Sequence, residues 1–140
     1  MPIKPENAGR YPAAWPEIRE RIRKRAGNKC EDCGVANHAL GGRVRSGAWY
    51  KALPLGDNGL MTVWPLPGQW AWCERNQHTM MLRIVKIVCT VAHLDHIPEN
   101  CSDDNLRFWC QRCHLRYDHK YHQQQAALTR RRGRAIEMFP

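Results

Sequence analysis

The sequence predicts an α+β domain: a helix, a glycine- and tryptophan-rich β insert, a β-hairpin and a long terminal helix. Three observations carry this. Ile18, Ile22 and Ala26 recur at helical spacing after Trp15. Residues 81–92 read MLRIVKIVCTVA, a β-branched run that a polar loop separates from a second apolar stretch at 105–109. Beyond Cys113 helical periodicity resumes and lasts to about Arg132. At 140 residues the chain supports one modest core and is read as a single domain over 1–140.

Residues 1–14 hold Pro2, Pro5, Gly9 and Pro12 without apolar periodicity, which predicts an irregular arm. In the first helix Pro16 suits the first turn, Glu17 and Glu20 sit near the positive end, and Gly27-Asn28 closes it. Arg19, Arg21, Arg23, Lys24 and Arg25 cover its other side, on their own merely a solvated charged face. Residues 36–79, rich in glycine and proline and carrying Trp49, Trp64, Trp70 and Trp72, predict short strands, with 44–53 and 60–64 as candidates. Large aromatics fill cores more often than they stack on bases, so the tryptophans are expected to form a small packed cluster.

The run at 80–92 fits a strand covered on both faces, or two strands joined tightly. Ile97-Pro98 breaks it, 99–104 is an acidic loop, and 105–109 forms a returning strand. In the last helix Tyr117, Tyr121, Gln124 and Leu128 make a stripe that can pack on the strands. His114, Asp118, His122 and Gln125 make a neighbouring stripe, so His114 and Asp118 stand one turn apart and reach a common point. Gly133 is expected to end this helix. In the basic helix end and tail, 123–140, Arg130, Arg131, Arg132 and Arg134 are candidates for gripping DNA phosphates.

Twenty-two Lys and Arg against thirteen Asp and Glu give a formal charge of +9, which favours a polyanionic partner: nucleic acid or an acidic membrane surface. No run approaches the ~18 apolar residues of a spanning helix, and the first ten residues lack the apolar core of a secretion signal. A cytoplasmic location without membrane association is the expectation.

Seven cysteines is an odd number, and Cys30-x-x-Cys33 and Cys110-x-x-Cys113 match a tetrahedral four-cysteine zinc site. Four thiolates leave no open position, so such an ion is structural. Loop closure cost grows only logarithmically with length, so the separation of the pairs is no obstacle. A redox dithiol would want a βαβ context that the sequence lacks. Cys89, inside the apolar run, reads as a buried small hydrophobe.

Asp95-His96 ends the apolar run, and Asn105 and His114 follow at equal intervals of nine. Hydrolysis of an anionic phosphodiester needs a neutral base to deprotonate water and a cation to stabilise the departing 3′ oxygen. Imidazole suits the first task near neutral pH. Together with the cysteine pairs, these residues make the stretch 91–122 resemble the HNH endonucleases. That resemblance implies a ββα-metal core within 80–122, with Asp95 and His114 holding one divalent cation and His96 as general base. It further implies that Asn105 fixes the loop or the imidazole, and that a third ligand comes from the helix. Spacing favours Asp118 there, over His119 and His122. His93 and His119 become supporting or DNA-contacting groups. Magnesium or manganese suits the donor set, and imidazole also admits nickel or zinc.

The resemblance covers 15–35 and 80–122, and the insert at 36–79 has no counterpart in it. The activity implied is cleavage of DNA, by nicking or double-strand cutting, of the small stand-alone type frequent in phages and bacteria, with any phage or bacterial protein partner unspecified. The alternative is a non-catalytic, zinc-stabilised nucleic-acid-binding module. It accounts for the charge and the cysteines but not for the coincidence of Asp95, His96, Asn105 and His114.

Overall fold

A computed structural model describes residues 3–138. The arm forms a short 3-10 turn, Pro5–Arg10, and Arg10 pairs with Glu99 at 2.7 Å. Helix α1 spans Trp15–Arg25, with Trp15 and Ile22 buried and Ile18 and Ala26 packed beside them. Gly27 and Asn28 take φ of 65° and 58°, the left-handed conformation that ends a helix. The basic face of α1 is less idle than its composition suggests. Arg25 donates to Glu31 Oε1 at 2.8 Å and to the Leu106 and Asp103 carbonyls at 2.7 and 2.8 Å.

The insert extends beyond the expected 36–79 to Lys86 and folds into an antiparallel sheet of strands β1 (Leu40–Arg43), β2 (Trp49–Ala52), β5 (Trp70–Arg75), β6 (His78–Arg83) and β7 (Val85–Lys86), ordered β6-β5-β2-β1-β7. A small hairpin of β3 (Gly56–Asp57) and β4 (Thr62–Val63) projects from it. A separate hairpin pairs β8 (Cys89–His93) with β9 (Leu106–Cys110), from Cys89 opposite Cys110 to His93 opposite Leu106. Helix α2, Gln111–Met138, leaves β9 directly.

Several expectations change. The candidate strand at 44–53 contains a turn, where Gly47 adopts φ 92° and its N–H reaches the Val44 carbonyl at 2.8 Å. The candidate at 60–64 shrinks to the two residues of β4. The apolar run at 80–92 is neither one strand nor two: it supplies most of β6, all of β7 and most of β8. It is apolar because it serves two cores. Ile84 is buried with Ala52, Ala71 and Cys73 in the insert, whereas Ile87 is buried with Trp15, Ile22, Val35, Leu106 and Phe108 in the main core.

The expected tryptophan cluster does not form. Trp64, Trp70 and Trp72 are 45%, 66% and 54% exposed, and of the insert's tryptophans Trp49 alone packs against the main core. The cause is the strand period: Ala71 and Cys73 alternate with Trp70 and Trp72, so the small residues face inward and the indoles face out.

Helix α2 also passes through Gly133 rather than ending there, and Gly133 is not among the residues with positive φ. One interior glycine costs only about 1 kcal/mol against alanine, too little to stop a helix whose neighbours favour it. Of the expected packing stripe, Tyr117 lies 5.0 Å from the Trp109 ring, but Leu128 is exposed.

Leu106 is fully buried where α1 meets the hairpin. Leu106→Ala is expected to lower unfolding stability by about 2–5 kcal/mol in a denaturant titration, whereas Leu128→Ala should change it by less than about 0.5 kcal/mol.

Candidate functional site

Two sites meet at the start of α2. The first is the thiol cluster. Cys30 and Cys33 lie in the turn after α1, where Gly34 at φ 78° lets its N–H return to the Cys30 carbonyl at 2.9 Å. Cys110 ends β9 and Cys113 lies in the first turn of α2. The four sulfurs all lie within 4.8 Å of one another, and among the described residues no other group of three or more ligands is this close.

This donor set fits a structural zinc. Burial, followed by the neighbouring Cys110 and Cys33, pushes the Cys113 thiol up, and burial does the same to Cys110. Burial also opposes ionisation of Cys33, but the Val35 backbone N–H and the Arg43 guanidinium outweigh it and bring that thiol down to about 7. Arg43 comes from the insert, with its Nη2 at 3.6 Å from Cys33 Sγ and 3.8 Å from Cys110 Sγ. No sequence signal pointed to Arg43. Cys89, pushed up to about 12 by burial beside the cluster, is an inert buried thiol, as its sequence context suggested.

The second site is a cleft of about 560 Å³ whose lining includes Trp15, His93, His96, His114, Asp118 and His122. His114, Asp118 and His122 reach it from successive turns of α2. The Asp118 carboxylate, 8% exposed, lies between two imidazoles: Oδ2 is 2.9 Å from His114 Nε2 and Oδ1 is 3.2 Å from His96 Nε2. The His96 approach is close but not aligned as a hydrogen bond, so His96 Nε2 is buried with no hydrogen-bond partner. Burial lowers the His114 pKa, with Asp118 opposing, which keeps the ring neutral at pH 7. Tyr121, which the sequence offered only for packing, stands edge-on to the His96 ring at 4.0 Å.

The loop between β8 and β9 aims His96. Asn105, 8% exposed, donates to Asp95 Oδ1 at 2.9 Å and to the Asn100 carbonyl at 2.8 Å, and its own Oδ1 accepts from the Asp95 N–H at 3.2 Å. Asn105 thus fixes the loop rather than the imidazole. Asp95 also accepts from Asn100 Nδ2 at 2.7 Å and the Ile97 N–H at 2.9 Å, and these bonds, Asn100 first, bring its pKa down to about 2.

The pairing of Asp95 with His114 as joint ligands is therefore not what the structure brings together. Asp95 does not line the cleft, and its oxygens serve the loop as acceptors in an Asx turn. His96, His114 and Asp118 converge instead. His93 lines the cleft wall, stacked on Trp15 at 5.2 Å, with burial lowering its pKa. His119 turns away to Gln123 at 3.0 Å. Arg130, Arg131, Arg132 and Arg134 are exposed along the far part of α2.

Comparison of the chain with family models, with curated proteins and with solved structures finds no match in any of the three. No helix among the described residues is long and apolar enough to cross a membrane.

Cys110→Ser is expected to release the ion and unfold the domain cooperatively at lower temperature, read by metal analysis and thermal melting. Asn105→Ala removes two donors and one acceptor from a buried position and is expected to cost about 1–3 kcal/mol in a denaturant titration without loss of zinc.

Proposed function

We propose that this chain is a metal-dependent endonuclease of the HNH type that hydrolyses DNA phosphodiester bonds. The observation that carries the reading is the convergence of His96, His114 and Asp118 in one cleft, with His96 Nε2 buried and unpartnered. A buried imidazole nitrogen without a partner is costly unless a ligand completes it. The hairpin followed directly by a helix, and the sulfur cluster beside it, agree with the ββα-metal arrangement that the sequence resembles.

His114 and Asp118 would hold the catalytic cation, with His122 one further turn along the same lining. Imidazole and carboxylate donors suit magnesium, manganese, nickel or zinc, and few protein ligands leave room for water and phosphate. When bound, such an ion stabilises the negative charge that develops on the phosphate and the departing 3′ oxygen.

The remaining roles belong to the chain. His96 Nε2 takes the proton of the attacking water, and Asp118 Oδ1 at 3.2 Å stabilises the imidazolium that results. Asp95 becomes a positioning residue: with Asn105 it holds the loop that presents His96. Arg130, Arg131, Arg132 and Arg134 extend the basic surface for phosphates.

Purified protein is expected to nick or linearise plasmid when magnesium or manganese is added. His96→Ala should slow cleavage by about 10²–10⁴-fold while duplex binding persists. Asp118→Ala should abolish metal-dependent cleavage, and His119→Ala should leave it unchanged. Absence of cleavage with any of the four cations would favour the zinc-stabilised binding module.

The pH dependence follows from His114. Its pKa lies below the ordinary 6.5, so its neutral, ligating form predominates above that value and is lost as pH falls beneath it. Manganese affinity of the cleft is therefore expected to change little from pH 8 to about 7 and to decline below about 6.5, read by calorimetric titration.

A further inference from the structure

The sheet face that carries Trp70 and Trp72 has no use in the reading above. Residues opposite one another in an antiparallel ladder share a face. Trp70 pairs with Arg83 and Trp72 with Met81, and Glu74 pairs with Lys51 on the next strand. Further along, Trp49 packs on the main core and Arg43 reaches the thiol cluster, so the open part of the face is carried by β5 and β6 with Lys51 at its edge. Trp70 and Trp72 are 66% and 54% exposed, two residues apart on one strand, while the reverse face of that strand is sealed by Ala71 and Cys73.

Two neighbouring indoles standing out of a rigid sheet and flanked by cations form a stacking platform for bases and phosphates. The charge on the face is complementary to a polyanion: Arg83 and Lys51 outnumber Glu74, which stands opposite Lys51. The same cations disfavour a second copy of this chain, whose formal charge is +9, against the face. In a duplex the faces of the bases are already stacked on one another, so exposed indoles gain most from an unpaired strand.

We infer that the Trp70–Trp72 face of the insert binds an unpaired stretch of DNA by stacking its bases on the two indoles, with Arg83 and Lys51 meeting the phosphates. This binding needs no hydrolysis. A protein that binds but never cuts would keep this inference and remove the nuclease reading, and a protein that cuts without the platform would do the reverse.

The test compares the full chain with Trp70→Ala/Trp72→Ala and Trp70→Phe/Trp72→Phe, without added divalent cation. The probes are a labelled oligo-dT and a duplex of mixed sequence, read by fluorescence anisotropy. Melting temperature and zinc content should be equal in all three proteins, because both indoles are exposed. The alanine pair is expected to weaken oligo-dT binding at least about tenfold and duplex binding by less than about twofold, with the phenylalanine pair recovering most of the loss. Quenching of tryptophan fluorescence by oligo-dT in the parent should fall in both variants. Unchanged oligo-dT affinity, or an equal loss for both probes, would overturn the inference. So would a dimer of the parent, seen by analytical ultracentrifugation, that the alanine pair dissolves.

Discussion

Four sulfurs gathered within 4.8 Å, with burial opposing ionisation of Cys110 and Cys113, form the constraint on which the rest of the architecture depends. A bound cation would resolve the conflict by making thiolates the stable form, and the Arg43 guanidinium already favours the Cys33 thiolate. The sulfurs come from the turn after α1 and from the junction of β9 with α2, elements far apart in sequence. Fixing them fixes the angle at which α2 leaves the hairpin. His114 is the next residue after Cys113, so whatever seats that sulfur also seats the imidazole. The Arg25–Glu31 pair supports the same junction, because Glu31 Oε1 also accepts the Phe108 N–H at 2.8 Å.

The opposite wall of the cleft is set by a different device. His96 sits at φ 59°, a conformation that a non-glycine residue adopts at some cost, and it is held there by the hydrogen bonds among Asp95, Asn100 and Asn105. The rigidity of that network is polar. The cleft is thus bounded by a helix aimed by sulfur and a loop aimed by amides and a carboxylate. Those two supports respond to different conditions. Acid reaches the Cys33 thiolate, at about 7, well before it reaches Asp95, whose pKa lies at about 2.

Much of this was legible in the sequence, for identifiable reasons. Both ends of α1 and the hairpin β8–β9 follow from local signals, Pro16, Gly27-Asn28 and Ile97-Pro98, while α2 begins at Gln111, before the expected start beyond Cys113. His114 and Asp118 could be paired because helical periodicity alone puts them on one face. The insert was not legible, since its strands are short and the run at 80–92 owes its apolar character to two different cores. Period-two alternation around Ala71 and Cys73 was the missed clue that Trp70 and Trp72 face outward. A carboxylate beside a histidine suggests a ligand for Asp95, and the sequence did not show that the local turn takes up its oxygens as hydrogen-bond acceptors. Nothing in the sequence distinguished Arg43 from the other arginines.

The insert leaves and rejoins the rest of the chain at nearly one point. The His38 N–H reaches the Ile87 carbonyl at 2.7 Å, and the Ile87 N–H returns to the Ala39 carbonyl at 2.9 Å. Its two ends are therefore already clasped, and its small interior around Ile84 is its own. A segment attached in this way can exchange its outer strands, β3 to β6, for another sheet, whereas Arg43 and Trp49, which reach the thiol cluster and the main core, tie β1 and β2 to the histidines beyond.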